Sequence, residues 1–181
     1  GGYVTYRGRH FHVDSAKLWD LPDELPPIGV AVSGKQSCEL AGELADVMVA
    51  VEPEAELVQQ FEAAGGRGKP KVGQLPICFD RDRDAAVARA HDQFRWFGGG
   101  WKVNAELPGT AAFDAASQFV TPDDVAQSIP CGDDPTAIAE ALKPFADAGF
   151  TEVALVQVGG GHQGEFLDFA EKELFPHLRD A

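Results

Sequence analysis

Cysteine is scarce in this chain. Three stand far apart, at Cys38, Cys78 and Cys131, with no C-x-x-C pair. An odd, dispersed set argues against a disulfide framework and for reduced thiols in the cytoplasm. Positive charge is also short, at 15 Lys and Arg against 29 Asp and Glu, for a net charge of −14. That balance repels a phosphate backbone and argues against nucleic acid as a partner. No run approaches the ~18 apolar residues of a membrane span, and no signal-peptide pattern opens the chain. The only methionine is Met48 and the chain opens at Gly1, which suggests a fragment or a trimmed chain. What is present is 181 residues that are 44% hydrophobic, enough for one sizeable core.

The pattern is one of strands followed by helices. Residues 1–14 hold a short hairpin, with Val4, Tyr6, Phe11 and Val13 alternating around Arg7-Gly8-Arg9. Apolar runs without alternation follow at Ile28–Val32, Val47–Val51, Val72–Phe79 and Val153–Val158, the mark of strands covered on both faces. Helical spacing fills the intervals at Gln36–Leu44, Glu54–Ala64 and Asp82–Phe97. Residues 98–120 form an insertion longer than an ordinary connection. Thr121-Pro122-Asp123-Asp124 is a helix start, with a hydroxyl cap and a proline in the first turn. Asp134-Pro135 begins a further helix, which Pro144 should kink and Gly149 should close. Glu165–Leu178 is the last, with Phe166, Leu167, Ala170, Leu174 and Leu178 on one face.

Alternating strands and helices imply parallel pairing through right-handed crossovers. The fold class expected is therefore α/β. Its about four βα units plus insertion helices make the C-terminal half of a (β/α)8 TIM barrel, a single partial domain over residues 1–181. A flavodoxin-like open sheet is the competing architecture. Half a barrel would leave its first and last strands as unpaired edges, so the isolated chain should be incomplete or self-associating.

Active sites of such barrels sit at the carboxyl ends of the strands. That rule selects Ser33-Gly34, Val51-Glu52, Phe79-Asp80 and the stretch from Gln157 to His162. The turn Ser33-Gly34-Lys35-Gln36-Ser37 aims a helix N-terminus, which favours anions, at any ligand there; an ordinary capped turn is the plainer alternative. Gly159 to Gly164 matches G-x-G-x-x-G, but no second strand can follow before Ala181, so a dinucleotide site is rejected. His10 and His12 share a face with no third ligand nearby, so no metal site is expected. His91 belongs to a surface or an interhelical contact, and Phe94, Trp96, Phe97 and Trp101 to packing. Glu52 ends an apolar strand, as an acid pointing into a pocket or a partnered structural carboxylate would. Lys102 either binds an anion or is solvated. With Gln157, these two are the expected substrate-facing residues.

Several blocks together resemble a known family. They are Ser15 to Pro22, Pro26 to Gly34, Gly65-Gly66-Arg67-Gly68-Lys69-Pro70, Phe119 to Val125, Asp147-Ala148-Gly149-Phe150, and the helix from Glu165 to Pro176. In order and across essentially the whole chain, they resemble the glucose-6-phosphate dehydrogenase-like branch of the luciferase-like oxidoreductases that use coenzyme F420. The resemblance implies a (β/α)8 barrel whose earlier strands precede Gly1. It implies a deazaflavin whose phosphate tail meets Ser33, Gly34, Gln36 and Ser37, and hydride transfer to or from a substrate carbinol carbon. FMN, in a monooxygenase, is the alternative cofactor, and a non-catalytic barrel remnant is a second alternative. The family's catalytic residues fall in the first half, so no catalytic residue is assigned here. A small-molecule substrate and a homodimer of the full-length protein are also implied. The branch's sugar-phosphate clamp corresponds to Val51, Glu54 and Ser128, which supply no cation. Glucose 6-phosphate is therefore not the expected substrate.

Overall fold

A computed structural model describes residues 1–180, the side chains of Trp101 and Asp180 excepted. Strands β1 (Val4–Arg7) and β2 (His12–Ala16) pair antiparallel, and the Gly8 N–H closes the turn on the Phe11 carbonyl at 3.0 Å. The hairpin runs two residues past the expected end, to Ala16, through an irregularity between Val4 and Tyr6. It stands apart from the main sheet.

That sheet has four strands in chain order: β3 (Gly29–Ala31), β4 (Val47–Ala50), β5 (Lys71–Ile77) and β6 (Glu152–Gln157). All three pairings are parallel. The helix of each unit follows its strand: α1 (Lys35–Leu44), α2 (Ala55–Phe61), α3 (Arg83–Phe94) and α8 (Gln163–Phe169). Between α3 and β6 lie α4 (Gly100–Asn104), α5 (Thr110–Ser117), α6 (Pro122–Ser128) and α7 (Pro135–Ala148), and α9 (Phe175–Asp180) ends the chain. The expected caps form: the Thr121 hydroxyl accepts from the Asp124 N–H at 3.2 Å, and Asp134 accepts from the Thr136 N–H at 2.9 Å. Glycine is needed where two helical segments end in the left-handed region, at Gly65 (φ 105°) and Gly149 (φ 93°).

The strands depart from the expectation of two covered faces. One face, carrying Met48, Ala50, Leu75 and Ile77, is buried under α1, α2, α7 and α8, where Phe61, Phe145 and Phe169 fill the core. Alternate residues point the other way, and Gly29, Ala31, Gln74, Ala154 and Val156 are exposed there. Val47, Val49 and Val72 on that side are half-buried. The apolar runs thus supply two apolar faces while this chain covers one. Among the described residues β3 pairs only with β4 and β6 only with β5, leaving both borders of the sheet open.

Two smaller corrections concern helices. The third helix ends at Phe94 and tightens into a 3₁₀ turn over Arg95–Gly99. Pro144 lies within α7, whose helical span runs from Pro135 to Ala148. In the last segment Leu167 is exposed and Phe169 is buried in its stead, because a widened turn over Ala170–Leu174 shifts the helical phase.

Candidate functional site

Parallel pairing brings all four strand ends to one end of the sheet. After β3, Gly34 precedes α1 in an extended conformation, and the Cys38 N–H is the first to find an intrahelical acceptor, the Gly34 carbonyl at 3.0 Å. The Ser37 hydroxyl turns back onto the loop. It accepts from the N–H groups of Ser33 (3.1 Å) and Gly34 (3.3 Å) and donates to the Gly34 carbonyl (2.9 Å). This leaves the Lys35, Gln36 and Ser37 N–H groups at the helix mouth, with no acidic residue in the first turn. A Cβ on Gly34 would meet nothing within 4 Å, so the space above the turn is open.

Ser33 shares a small cleft of about 100 Å³ with Ala31, Val49, Glu52 and Gln74. Glu52 and Gln74 also line a larger cleft of about 620 Å³, walled by Phe94, Trp96 and Phe97. The aromatic wall is continuous: Phe94 lies 4.5 Å from Trp96 and 5.6 Å from Phe97, ring centre to ring centre. Trp96 meets Phe113 edge-on at 6.1 Å. The Trp101 side chain of the expected aromatic group lies outside the described residues. Glu52 is half-buried, and among the described residues no ion pair engages it. Gln74 was not singled out in the sequence, although it is the lone amide in the apolar run from Val72 to Phe79.

The other two expected substrate residues are placed differently. Lys102 is exposed on α4 and lines neither cleft. Gln157 lies on the helix-covered side of β6, and backbone groups engage its amide. It accepts from the Phe79 N–H at 2.9 Å and donates to the Val158 carbonyl at 3.0 Å, locking the ends of β5 and β6 together.

Beyond β5 stands a charged group that sequence reasoning only half located. Asp80 pairs with Arg89 of α3, Nη1 to Oδ2 at 3.1 Å, and His162 approaches the same carboxylate at 3.9 Å. The Asp82 backbone N–H and then the Arg89 guanidinium hold the Asp80 carboxyl below its usual range. Gly159, first of the glycine-rich loop, backs onto the Arg89 side chain, where a Cβ would collide. The glycine there serves packing. His91, half-buried on α3, reaches the segment between α5 and α6, its Nε2 2.8 Å from the Val120 carbonyl. Among the described residues no cluster could hold a metal ion, and no helix is long and apolar enough to cross a membrane. Burial pushes the Cys78 thiol up, and Cys131 up to about 11; with Cys38, all three cysteines are free.

Parallel strands followed in turn by helices, with all strand ends at one edge of the sheet, define an α/β protein. More narrowly, the pattern of the luciferase-like monooxygenase family matches residues 1–152, and the chain belongs to that family. It is 30% identical over 186 residues to an F420-dependent hydroxymycolic acid dehydrogenase of Mycobacterium tuberculosis, covering 99% of this chain and 50% of that protein. An F420-dependent glucose-6-phosphate dehydrogenase of Nocardia farcinica is 24% identical, at 99% and 56% coverage. Among solved structures, an F420-dependent secondary alcohol dehydrogenase in complex with an F420-acetone adduct superposes with a TM-score of 0.75 at 21% identity. That match covers 98% of this chain and 56% of the other. The F420-dependent tetrahydromethanopterin reductase of Methanopyrus kandleri gives a TM-score of 0.65 at 18% identity, covering 98% and 59%. The chain thus spans about half the length of the relatives it matches.

Proposed function

We propose that this chain is one side of a (β/α)8 barrel in an F420-dependent oxidoreductase. The observation that carries the reading is the sheet itself: four parallel strands that, among the described residues, have both borders open and a largely apolar inner face only partly covered. A second set of strands pairing with β3 and β6 would bury that face and close the mouth into a cup. The names of the relatives at 30% and 24% identity support the deazaflavin.

The residues present suit its phosphate tail. The first-turn N–H groups of α1 precede the first intrahelical donor, a Cβ on Gly34 would meet nothing within 4 Å, no first-turn acid opposes an anion, and the Ser37 hydroxyl fixes the Ser33-Gly34 turn. When bound, the deazaflavin accepts or delivers the hydride exchanged with a substrate carbinol carbon. This chain's part is to anchor the tail, to wall the substrate cleft with Phe94, Trp96 and Phe97, and to exclude water there. Proton transfer is assigned to residues on the strands that complete the barrel.

Glucose 6-phosphate does not suit this cleft. Val51 and Ser128 line it and bring no charge, and Glu54 stands nearby in the chain as a further acid. The reading carries with it a small-molecule substrate, reduced thiols in the cytoplasm and a homodimer of the whole protein. The test is an absorbance assay of the whole protein with F420 and a panel of secondary alcohols. Cofactor reduction by at least one alcohol, with none by glucose 6-phosphate, is the expected outcome. Oxygen consumption with reduced FMN and no deazaflavin reduction would overturn it in favour of a monooxygenase.

A further inference from the structure

We infer that Cys78 and Cys131 are a redox-active dithiol pair, a modification site at which a peroxide closes a disulfide between the end of β5 and the segment that leads into α7. Strand β4 accompanies β5 only as far as Gly73, and residues 130–132 run beside the strand end beyond it. The Cys78 N–H donates to the Pro130 carbonyl at 2.9 Å, and the Gly132 N–H donates to the Cys78 carbonyl at 3.0 Å. These two bonds bracket Cys131 and set it opposite Cys78 in a parallel bridge. Neighbouring strands stand about 4.8 Å apart, and half-cystines are joined across Cα separations of roughly 4.4–6.8 Å. Opposed residues of a parallel pair also project to one face, so the backbone already suits the bond. Cys38 belongs to a separate core cluster and takes no part.

The surroundings set the order of attack. Cys78 is fully buried among Ala86, Ala90, Val125, Ile129 and Val158, all supplied by this chain. Cys131 is half-buried, so an oxidant meets its sulfur first. Burial, and then the neighbouring Cys78, push the Cys131 thiol up to about 11, while Arg83 and Arg89 oppose the rise. Thiolate is therefore scarce at neutral pH, and the pair answers to sustained oxidant rather than to a brief pulse. The Cys131 thiolate attacks one oxygen of hydrogen peroxide, the O–O bond breaks, and a sulfenic acid forms as hydroxide leaves. The Cys78 thiolate then attacks the sulfenic sulfur, the S–O bond breaks, and a second hydroxide leaves. In all, the two thiols give up two electrons and two protons, and the peroxide is reduced to two waters. The disulfide joins both ends of the stretch that carries the Phe94, Trp96 and Phe97 wall.

The test is peptide mapping by mass spectrometry of the whole protein after exposure to hydrogen peroxide, with no reductant added before digestion. A linked pair of peptides holding Cys78 and Cys131 is expected, with Cys38 still a free thiol. The linkage rate should rise about tenfold per pH unit between about pH 7 and pH 9, as the thiolate fraction does. The oxidised protein should melt about 5 °C above the reduced one, and dithiothreitol should abolish the difference. In Cys131→Ser, a change at a half-buried position, Cys78 should stay unmodified under the same exposure. Cys131 carried on to a sulfinic acid beside a free Cys78, linkage to any other cysteine, or no linkage at all would each overturn the inference. So would a linkage rate that ignores pH, or an oxidised form that melts below the reduced one.

Discussion

The Arg89 guanidinium meets the Asp80 carboxylate at the carboxyl end of β5, Nη1 to Oδ2 at 3.1 Å, both side chains largely buried. The pair ties α3 to the strand end beside the glycine loop. Arg89→Ala leaves a partly buried carboxylate unpaired and should cost about 1–3 kcal/mol in chemical denaturation. The pH dependence follows in sign. A carboxyl held below its unfolded value stabilises the fold above that value, near pH 4 for aspartate, and loses the contribution as pH falls through the lower folded value. Acid titration of stability should be shallower in Arg89→Ala than in the parent. An unchanged acid limb would show that Asp80 is indifferent to its partner.

Lys71 is nearly buried on the covered face of β5 and pairs with Glu62 at 3.0 Å. Removing the acid strands a buried ammonium, whereas replacing the lysine with an apolar chain removes the charge with its need. Glu62→Ala should therefore lower stability by about 2–4 kcal/mol, and Lys71→Met by less than about 1 kcal/mol. Denaturation midpoints of the two variants check this asymmetry, and equal losses would contradict it.

At Gly42 of α1 an added Cβ would stand 2.6 Å from the Ala64 Cβ and 2.8 Å from the Ala64 carbonyl oxygen. Backbone cannot step aside as a side-chain tip can, so α1 would have to move off the turn after α2. Gly42→Ala should destabilise by about 1–3 kcal/mol despite alanine's better helix propensity. A thermal melt showing stabilisation would mean that the two segments are free to separate.

Gly34 offers a way to separate binding from stability. Its extended backbone suits any residue and its surroundings are open. Gly34→Asp should leave stability unchanged or slightly raised, as an N-cap aspartate does, while placing a negative charge where the phosphate tail is proposed to lie. F420 affinity of the whole protein should fall about tenfold or more with no loss in melting temperature. Retained affinity would remove this turn from the cofactor site.

The strand-helix order was legible in the sequence because unalternating runs such as Val47–Val51 and glycine stops such as Gly149 are local signals. Which strand face is covered was not, since an apolar residue at Ala31 or Val156 reads the same whether helix, solvent or a further segment lies opposite. The phase slip that buries Phe169 and exposes Leu167 comes from a widened turn that no spacing rule anticipates. At the site, Glu52 was visible as an acid closing an apolar strand, and the Ser33 turn as small residues before a helix. Arg89 was not, because its partner Asp80 is reached across a strand end and a helix. Gln157 announced itself by position alone, and only coordinates show its amide spent on the Phe79 and Val158 backbone.

The central claim is that the strand ends gathered here hold a deazaflavin. It is tested most directly by equilibrium fluorescence titration of the whole protein with F420, with FMN as the comparator. Saturable binding of one F420 per chain, weakened in Gly34→Asp and not displaced by FMN, is the result predicted. Saturable FMN binding with no response to F420 would contradict it.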